Sequence, residues 1–247
     1  MRFTVAALLC FASLARADAP APAPLRCLEK YYGARAVEKD GAWSIEFGGR
    51  SIAWDDQKRK TFDEQLEHPD VKDAFSIEYE KGAIKPVTEV NHDPGRIRLD
   101  PLIGFAYPES GIVKVELFGR KLNVHKKVAD AFKRVEKRLQ PIASDRAIAP
   151  FLRDLGGTFV KRNIAGTDRP SAHSYGISID LNTAFSHYWR WQRPANPIKW
   201  QNKVPQAIVD AFEAEGFIWG GRWYHFDTMH FEYRPELLDE SCYAPTR

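Results

Sequence analysis

Two stretches of this sequence combine side chains that can hold a metal and move a proton. The first is Ser171-Ala-His173-Ser-Tyr-Gly176-Ile-Ser-Ile-Asp180-Leu-Asn182, and the second is Trp219-Gly-Gly-Arg-Trp223-Tyr-His225-Phe-Asp227-Thr-Met-His230-Phe-Glu232. From Gly176 onward Ile177, Ile179 and Leu181 alternate with Ser178, Asp180 and Asn182. Alternation of period two marks a half-buried strand and places Asp180 on its polar face. Gly176 can take backbone angles closed to other residues, so a turn there can return His173 over that face. The second stretch offers further imidazoles. Two His and one Asp, with one coordination position left for water, form a catalytic zinc arrangement.

The order Ser-x-His-x-x-Gly-x-Ser-x-Asp (Ser171 to Asp180), followed by Asp-x-x-His (Asp227 to His230), resembles the zinc peptidases of bacterial cell-wall peptides. That family includes D-alanyl-D-alanine carboxypeptidases, the vancomycin-resistance D,D-dipeptidases and the phage L-alanyl-D-glutamate endolysins. The likeness is dense over residues 162–235 and thinner upstream, around Asp93-Pro-Gly-Arg-Ile-Arg98. The resemblance implies that His173, Asp180 and His230 bind one zinc ion, and that Asp227 is the general base. It also implies that Arg162 binds a substrate carboxylate, a task suited to the bidentate guanidinium fork. Ser171 is a second candidate for contact with the substrate. Relatives commonly carry Glu at the base position, so Asp227 reaches one methylene less far.

Each of these residues has a plainer reading. A lone His is ordinarily a surface or satisfied core residue, which suits His68, His92 and His125. His225 competes with His230 as a ligand, but the Asp-x-x-His spacing favours His230. His225 is then a substrate contact or a hydrogen-bonded structural residue, and His187 sits on a loop that can approach the site. Glu232 is an alternative base or the partner that orients a ligand imidazole. Lys161 and Arg169 are the cations most easily confused with Arg162. Trp219 and Trp223 are expected to pack beneath the site, with Gly220 and Gly221 turning between them. From residue type alone the turn at residues 93–98 reads as solvated, with both arginines pointing outward, whereas the resemblance implies that it shapes the substrate cleft.

The chain has 247 residues, of which 44% are hydrophobic and 28% charged, the make-up of an ordinary globular protein. Met1-Arg2, the apolar run 3–14 and Ala15-Arg-Ala17 read as a secretory signal peptide cleaved after Ala17. The run is too short to span a bilayer comfortably. Loss of Arg2 and Arg16 would leave acidic and basic residues nearly equal in number, so the composition gives no sign of a basic nucleic-acid footprint. Cys27 and Cys242 then remain, an even count that permits a disulfide in an oxidising compartment.

The elements around the site follow from pattern. Residues 18–26 read as an extended, exposed Pro-Ala spacer. Residues 41–47 and 51–54 alternate like strands, joined at Gly48-Gly49. A helix over 63–75 is opposed by Pro69. Residues 112–118 and 122–124 read as another hairpin, and 125–139 as an amphipathic helix ended by Pro141. A short helix over 147–155, a strand over 158–162, a loop over 185–200, a helix over 204–215 and a strand over 229–233 complete the reading.

The expected fold is α+β: a small, mostly antiparallel sheet carries the zinc ligands, helices pack on it, and an N-terminal extension precedes it. The expected division is 1–17 signal peptide, 18–26 spacer, 27–110 supporting region and 111–247 peptidase domain. The expected cofactor is one Zn2+ per chain. The expected partners are peptidoglycan stem peptides, with no nucleic acid, no stable membrane insertion and a monomeric chain. The expected activity is exported D-alanyl-D-alanine carboxypeptidase. The rivals are L-alanyl-D-glutamate endopeptidase and, in another class, a non-catalytic cell-wall binding module.

Overall fold

A computed structural model describes residues 20–192 and 197–243, so the candidate signal peptide lies outside the described residues. The first helix, α1 (Ala23–Tyr32), starts inside the Pro-Ala tract. The expectation of an extended, exposed spacer over 18–26 therefore fails in its second half. Pro22 caps the helix and Pro24 lies in its first turn, where a missing N–H leaves no bond unmade. Ala23, Leu25 and Leu28 are buried, so this segment belongs to the core. Cys27 on α1 is disulfide-bonded to Cys242, across a sequence separation of 215 residues. A bridge closing so long a loop contributes roughly 2–4 kcal/mol.

A meander follows, made of β1 (Arg35–Lys39), β2 (Ala42–Phe47) and β3 (Arg50–Ala53), all antiparallel. Gly48 and Gly49 both have positive φ, as a two-residue hairpin turn requires. Strand β1 was not anticipated, because its largely exposed residues show no alternation. The helical signal over 63–75 divides at Pro69 into α2 (Phe62–Glu67) and α3 (Val71–Ala74). Thr61 with Glu64, and Asp70 with Asp73, close a capping box at the start of each.

Helix α4 (Asp100–Ala106) leads to the hairpin of β4 (Ile112–Leu117) and β5 (Arg120–His125). His125 ends β5 rather than opening a helix, and α5 spans Ala129–Leu139. A single turn, α6 (Ala149–Leu152), follows. Residues 158–162 form no strand; beside them only the bridges Gly157↔Asp180 and Asn163↔Pro170 occur. The third sheet is built from β6 (Ser178–Asp180), β7 (Phe217–Trp219) and β8 (His230–Tyr233) in the order β6-β8-β7. Helix α7 (Gln206–Glu213) precedes β7, and α8 (Pro235–Leu238) follows β8.

Every strand pair is antiparallel and the helices pack against the sheets, which is the expected α+β class. Behind the third sheet, Phe212 of α7 stacks on Phe231 of β8 at 4.1 Å, and Phe132 of α5 meets Phe217 of β7 at 4.7 Å. Residues 27–110 share this core. Tyr79 Oη donates to Glu213 at 2.7 Å and accepts from the Trp219 amide at 2.8 Å. Aromatic packing of this kind holds the sheet rigid from behind, so side chains on its other face keep fixed directions.

Candidate active site

The short sheet brings the two halves of the pattern together. Strands β6 and β8 pair with Asp180 opposite His230, so these side chains leave the sheet side by side on one face. His173 sits on a 3-10 turn (Ala172–Tyr175) that ends at Gly176, φ +66°. A Cβ at Gly176 would stand 2.5 Å from Ile112 and 2.8 Å from the amide nitrogen of His125. Only glycine lets this turn dock on β5, where its carbonyl accepts the His125 amide at 2.8 Å. The docked turn returns His173 over the Asp180 face.

Three ligand atoms then meet. His173 Nε2 lies 3.1 Å from Asp180 Oδ1 and 3.2 Å from His230 Nδ1, and His230 Nδ1 lies 3.0 Å from Asp180 Oδ1. Donors around one tetrahedral zinc, each about 2.0–2.1 Å from it, stand about 3.3 Å apart. The far sides of the rings decide what the near sides carry. His173 Nδ1 is 2.9 Å from the carbonyl of Thr158, which only accepts, so Nδ1 bears the proton and Nε2 a lone pair. His230 Nε2 faces the Glu232 carboxylate at 3.5 Å, which leaves the lone pair on Nδ1. Two lone pairs and a carboxylate oxygen thus share one point, and only a positive charge reconciles them.

Without a metal ion, a proton supplies that charge. Burial disfavours a charged His230, yet its hydrogen bonds to Asp180 and Glu232 push it up to about 10. Burial likewise opposes the Asp180 charge, and the two imidazoles still hold that carboxyl well below its usual range. The donor set and its spacing therefore fit a zinc ion held by His173, Asp180 and His230.

Asp227 lies in the same cleft with its Oδ1 buried and unpartnered among the described residues. Burial first, and the neighbouring Asp180 charge second, push its pKa up to about 7. A carboxyl of that kind can take and release a proton near neutrality. Glu232 is held instead by Arg234 at 3.2 Å and Arg98 at 3.6 Å, besides His230. Burial works against its charge, but these cations and the His230 hydrogen bond hold it well below the usual range.

The cleft encloses about 800 Å³ and also receives Arg162 and Ser171. The Ser171 amide donates to the Arg162 carbonyl at 2.9 Å, which closes the loop between them. Lys161 turns to Glu109 at 2.8 Å and the buried Arg169 approaches Asp100 at 3.7 Å. Arg162 lines the cleft and has no acidic partner among the described residues. His187 does not line the cleft; its backbone pins Thr228.

The segment 93–98 departs most from its reading. Far from a solvated turn, it docks on residues 223–225, with Trp223 Nε1 donating to the Pro94 carbonyl at 2.7 Å. Asp93 is fully buried and Arg98 is buried against Asp100 and Glu232; Arg96 and Arg98 both line the cleft, and Arg96 is the more exposed of the two. The default of a solvated basic residue hid Arg98, and only the thin upstream resemblance had pointed to this segment.

Residues 165–233 match the family model described as D-alanyl-D-alanine carboxypeptidase. Over these residues the chain is similar to that peptidase family. The match spans His173, Asp180, Asp227 and His230. No curated protein and no solved structure matches the chain. Among the described residues no helix is long and apolar enough to cross a membrane.

Proposed function

We propose that this chain is an exported zinc peptidase of peptidoglycan stem peptides, acting as a D-alanyl-D-alanine carboxypeptidase. The convergence of three lone-pair donors beside the unpartnered Asp227 carboxyl carries this reading. Export rests on the leader at residues 1–17 and agrees with the Cys27–Cys242 bridge. When bound by His173, Asp180 and His230, a zinc ion supplies a Lewis acid for the scissile carbonyl and lowers the pKa of water.

The remaining work falls to the protein's own groups. Thr158 and Glu232 fix the imidazole tautomers that keep both ligand lone pairs inward. Asp227 accepts the proton of the attacking water and delivers it to the leaving amine, and a pKa near 7 serves both transfers. Arg162 pairs with the terminal carboxylate, and Ser171 adds a hydroxyl beside it. Trp223, whose ring centre lies 5.9 Å from that of His230, helps to exclude bulk water. A pure binding module has no use for an unpartnered carboxyl beside a ligand cluster.

Mass spectrometry of defined muropeptides, with and without a chelator, tests the proposal. Loss of one terminal alanine from a pentapeptide stem, abolished by the chelator, is the expected result. Release of the stem after its first alanine would replace the carboxypeptidase with an endopeptidase. Intact muropeptides after incubation with zinc-loaded protein would overturn the peptidase reading.

A further inference from the structure

A second His–carboxylate pair lies in the same cleft, and the reaction does not use it. Asp93, with no exposed side-chain surface, accepts the His225 amide on Oδ1 at 2.9 Å. Its Oδ2 accepts both His225 Nδ1 and Arg96 Nη1, each at 2.6 Å. Because the carboxylate only accepts, His225 Nδ1 carries a proton and Nε2 is turned away from Asp93. Among the described residues Nε2 has no hydrogen-bond partner, and neither have the other N–H groups of Arg96. The ring is clamped between Phe62, parallel within 12° at 6.2 Å, and the edge of Trp189 at 4.7 Å. His225 and Arg96 both line the cleft.

This arrangement is more than a way to dock the turn. The turn is already held by the Trp223–Pro94 bond, by the Tyr224 amide to the His92 carbonyl at 2.9 Å, and by the His225 amide. None of these needs an imidazole with a free edge. The wall is also rich in cations: neither Arg162 nor Arg190 has an acidic partner among the described residues, and Asp93 is shared between Arg96 and His225. A substrate with two acidic groups would satisfy both ends of the wall.

We infer that Arg96 and His225, set by the buried Asp93, form a second carboxylate site, so that the preferred substrates are peptides with an acidic side chain besides the terminal carboxylate. This rests on the peptidase reading above. Arg96 supplies charge-assisted N–H donors, and the fixed imidazole edge fills the space beside them, a geometry that rewards carboxylate over its neutral isostere.

The test uses two peptides ending in D-alanyl-D-alanine that differ only in one side-chain carboxylate or its carboxamide. Zinc-loaded mature protein is compared with His225→Asn, whose amide can still donate to Asp93, and with Arg96→Gln. Equal zinc content shows that each variant has folded. Unaltered protein is expected to favour the carboxylate by about tenfold to a hundredfold in kcat/KM, mainly through KM. Each variant is expected to bring that ratio close to one. No preference in the unaltered protein, or an equal loss on both peptides that leaves the ratio intact, overturns the site. Intrinsic tryptophan fluorescence, with Trp189 beside His225, reports binding independently of turnover. If neither peptide is cut, carboxylate-selective binding that the variants abolish keeps the site and rejects the peptidase, while unselective binding rejects the site itself.

Discussion

The cleft contains two imidazole–carboxylate groups that obey opposite rules. At His173, Asp180 and His230 the outer ring nitrogens are tied to acceptors, so the inner atoms converge on one point that must hold a cation, a metal ion or a proton. At Asp93 and His225 the ring instead turns its N–H to the carboxylate, and Arg96 supplies the positive charge from within the chain. The first group is incomplete without an ion, and the second is complete without one. The difference lies in whether the opposite ring nitrogen is tied to an acceptor, as in His173 and His230, or has no partner among the described residues, as in His225. A His beside an Asp is therefore not a metal site until its second nitrogen has been accounted for.

The largest effect should separate the two groups outright. Asp180→Ala or His230→Ala removes a donor, and zinc affinity should fall by more than the roughly hundredfold that loss of an outer partner costs. Asp93→Asn should keep one zinc per chain, measured by competition with a chromophoric chelator. Equal zinc loss in both would mean that the groups are not distinct. Next in size, Asp227→Asn should lower kcat by about a hundredfold to ten-thousandfold with zinc retained, because it removes the proton carrier and no ligand. Loss of zinc in that variant would make Asp227 a ligand instead of the base.

The two groups also differ in how far they could be read from sequence. Asp180 and His230 become neighbours through one strand pairing, and His173 through one glycine turn; alternation and Gly176 placed Asp180 and His173, and the resemblance singled out His230. Asp93 and His225 stand 132 residues apart and meet only because the core seats one loop on another. No local period records such a contact. Arg98 was misjudged for a related reason: a basic residue in a turn is solvated by default, and the acids that bury it, Asp100 and Glu232, sit on other elements. The start of α1 was hidden by prolines, which break a helix interior but suit its first turn.

A smaller effect probes the support of the first group. Glu232→Gln leaves the three donors in place but weakens the hold on the outer nitrogen of His230. Zinc affinity should drop about tenfold to a hundredfold. The variant also leaves Arg98 and Arg234 without their shared carboxylate, so thermal unfolding measured beside zinc titration separates lost stability from lost orientation. Unchanged zinc affinity would confine Glu232 to pairing with the two arginines.

The smallest effect sharpens the second group through pH. Burial opposes the Asp93 charge, but the His225 hydrogen bond and the Arg96 guanidinium outweigh it and hold the carboxyl below its ordinary value. A carboxyl depressed in the folded state contributes stability above its unfolded pKa of about 3.9, and that contribution is lost as pH falls through the folded value. Urea midpoints of the zinc-free protein should therefore decline on acidification from pH 5 to pH 3, and the decline should be shallower in Asp93→Asn. Zinc binding should add a trend of the same sign at higher pH, because protons compete with the ion for the imidazoles, so zinc stabilisation should grow as pH rises from about 6 to 8. If Asp93→Asn instead left the acid decline unchanged while flattening the zinc-dependent limb, Asp93 would be acting on the metal cluster, and the two groups would have to be treated as one.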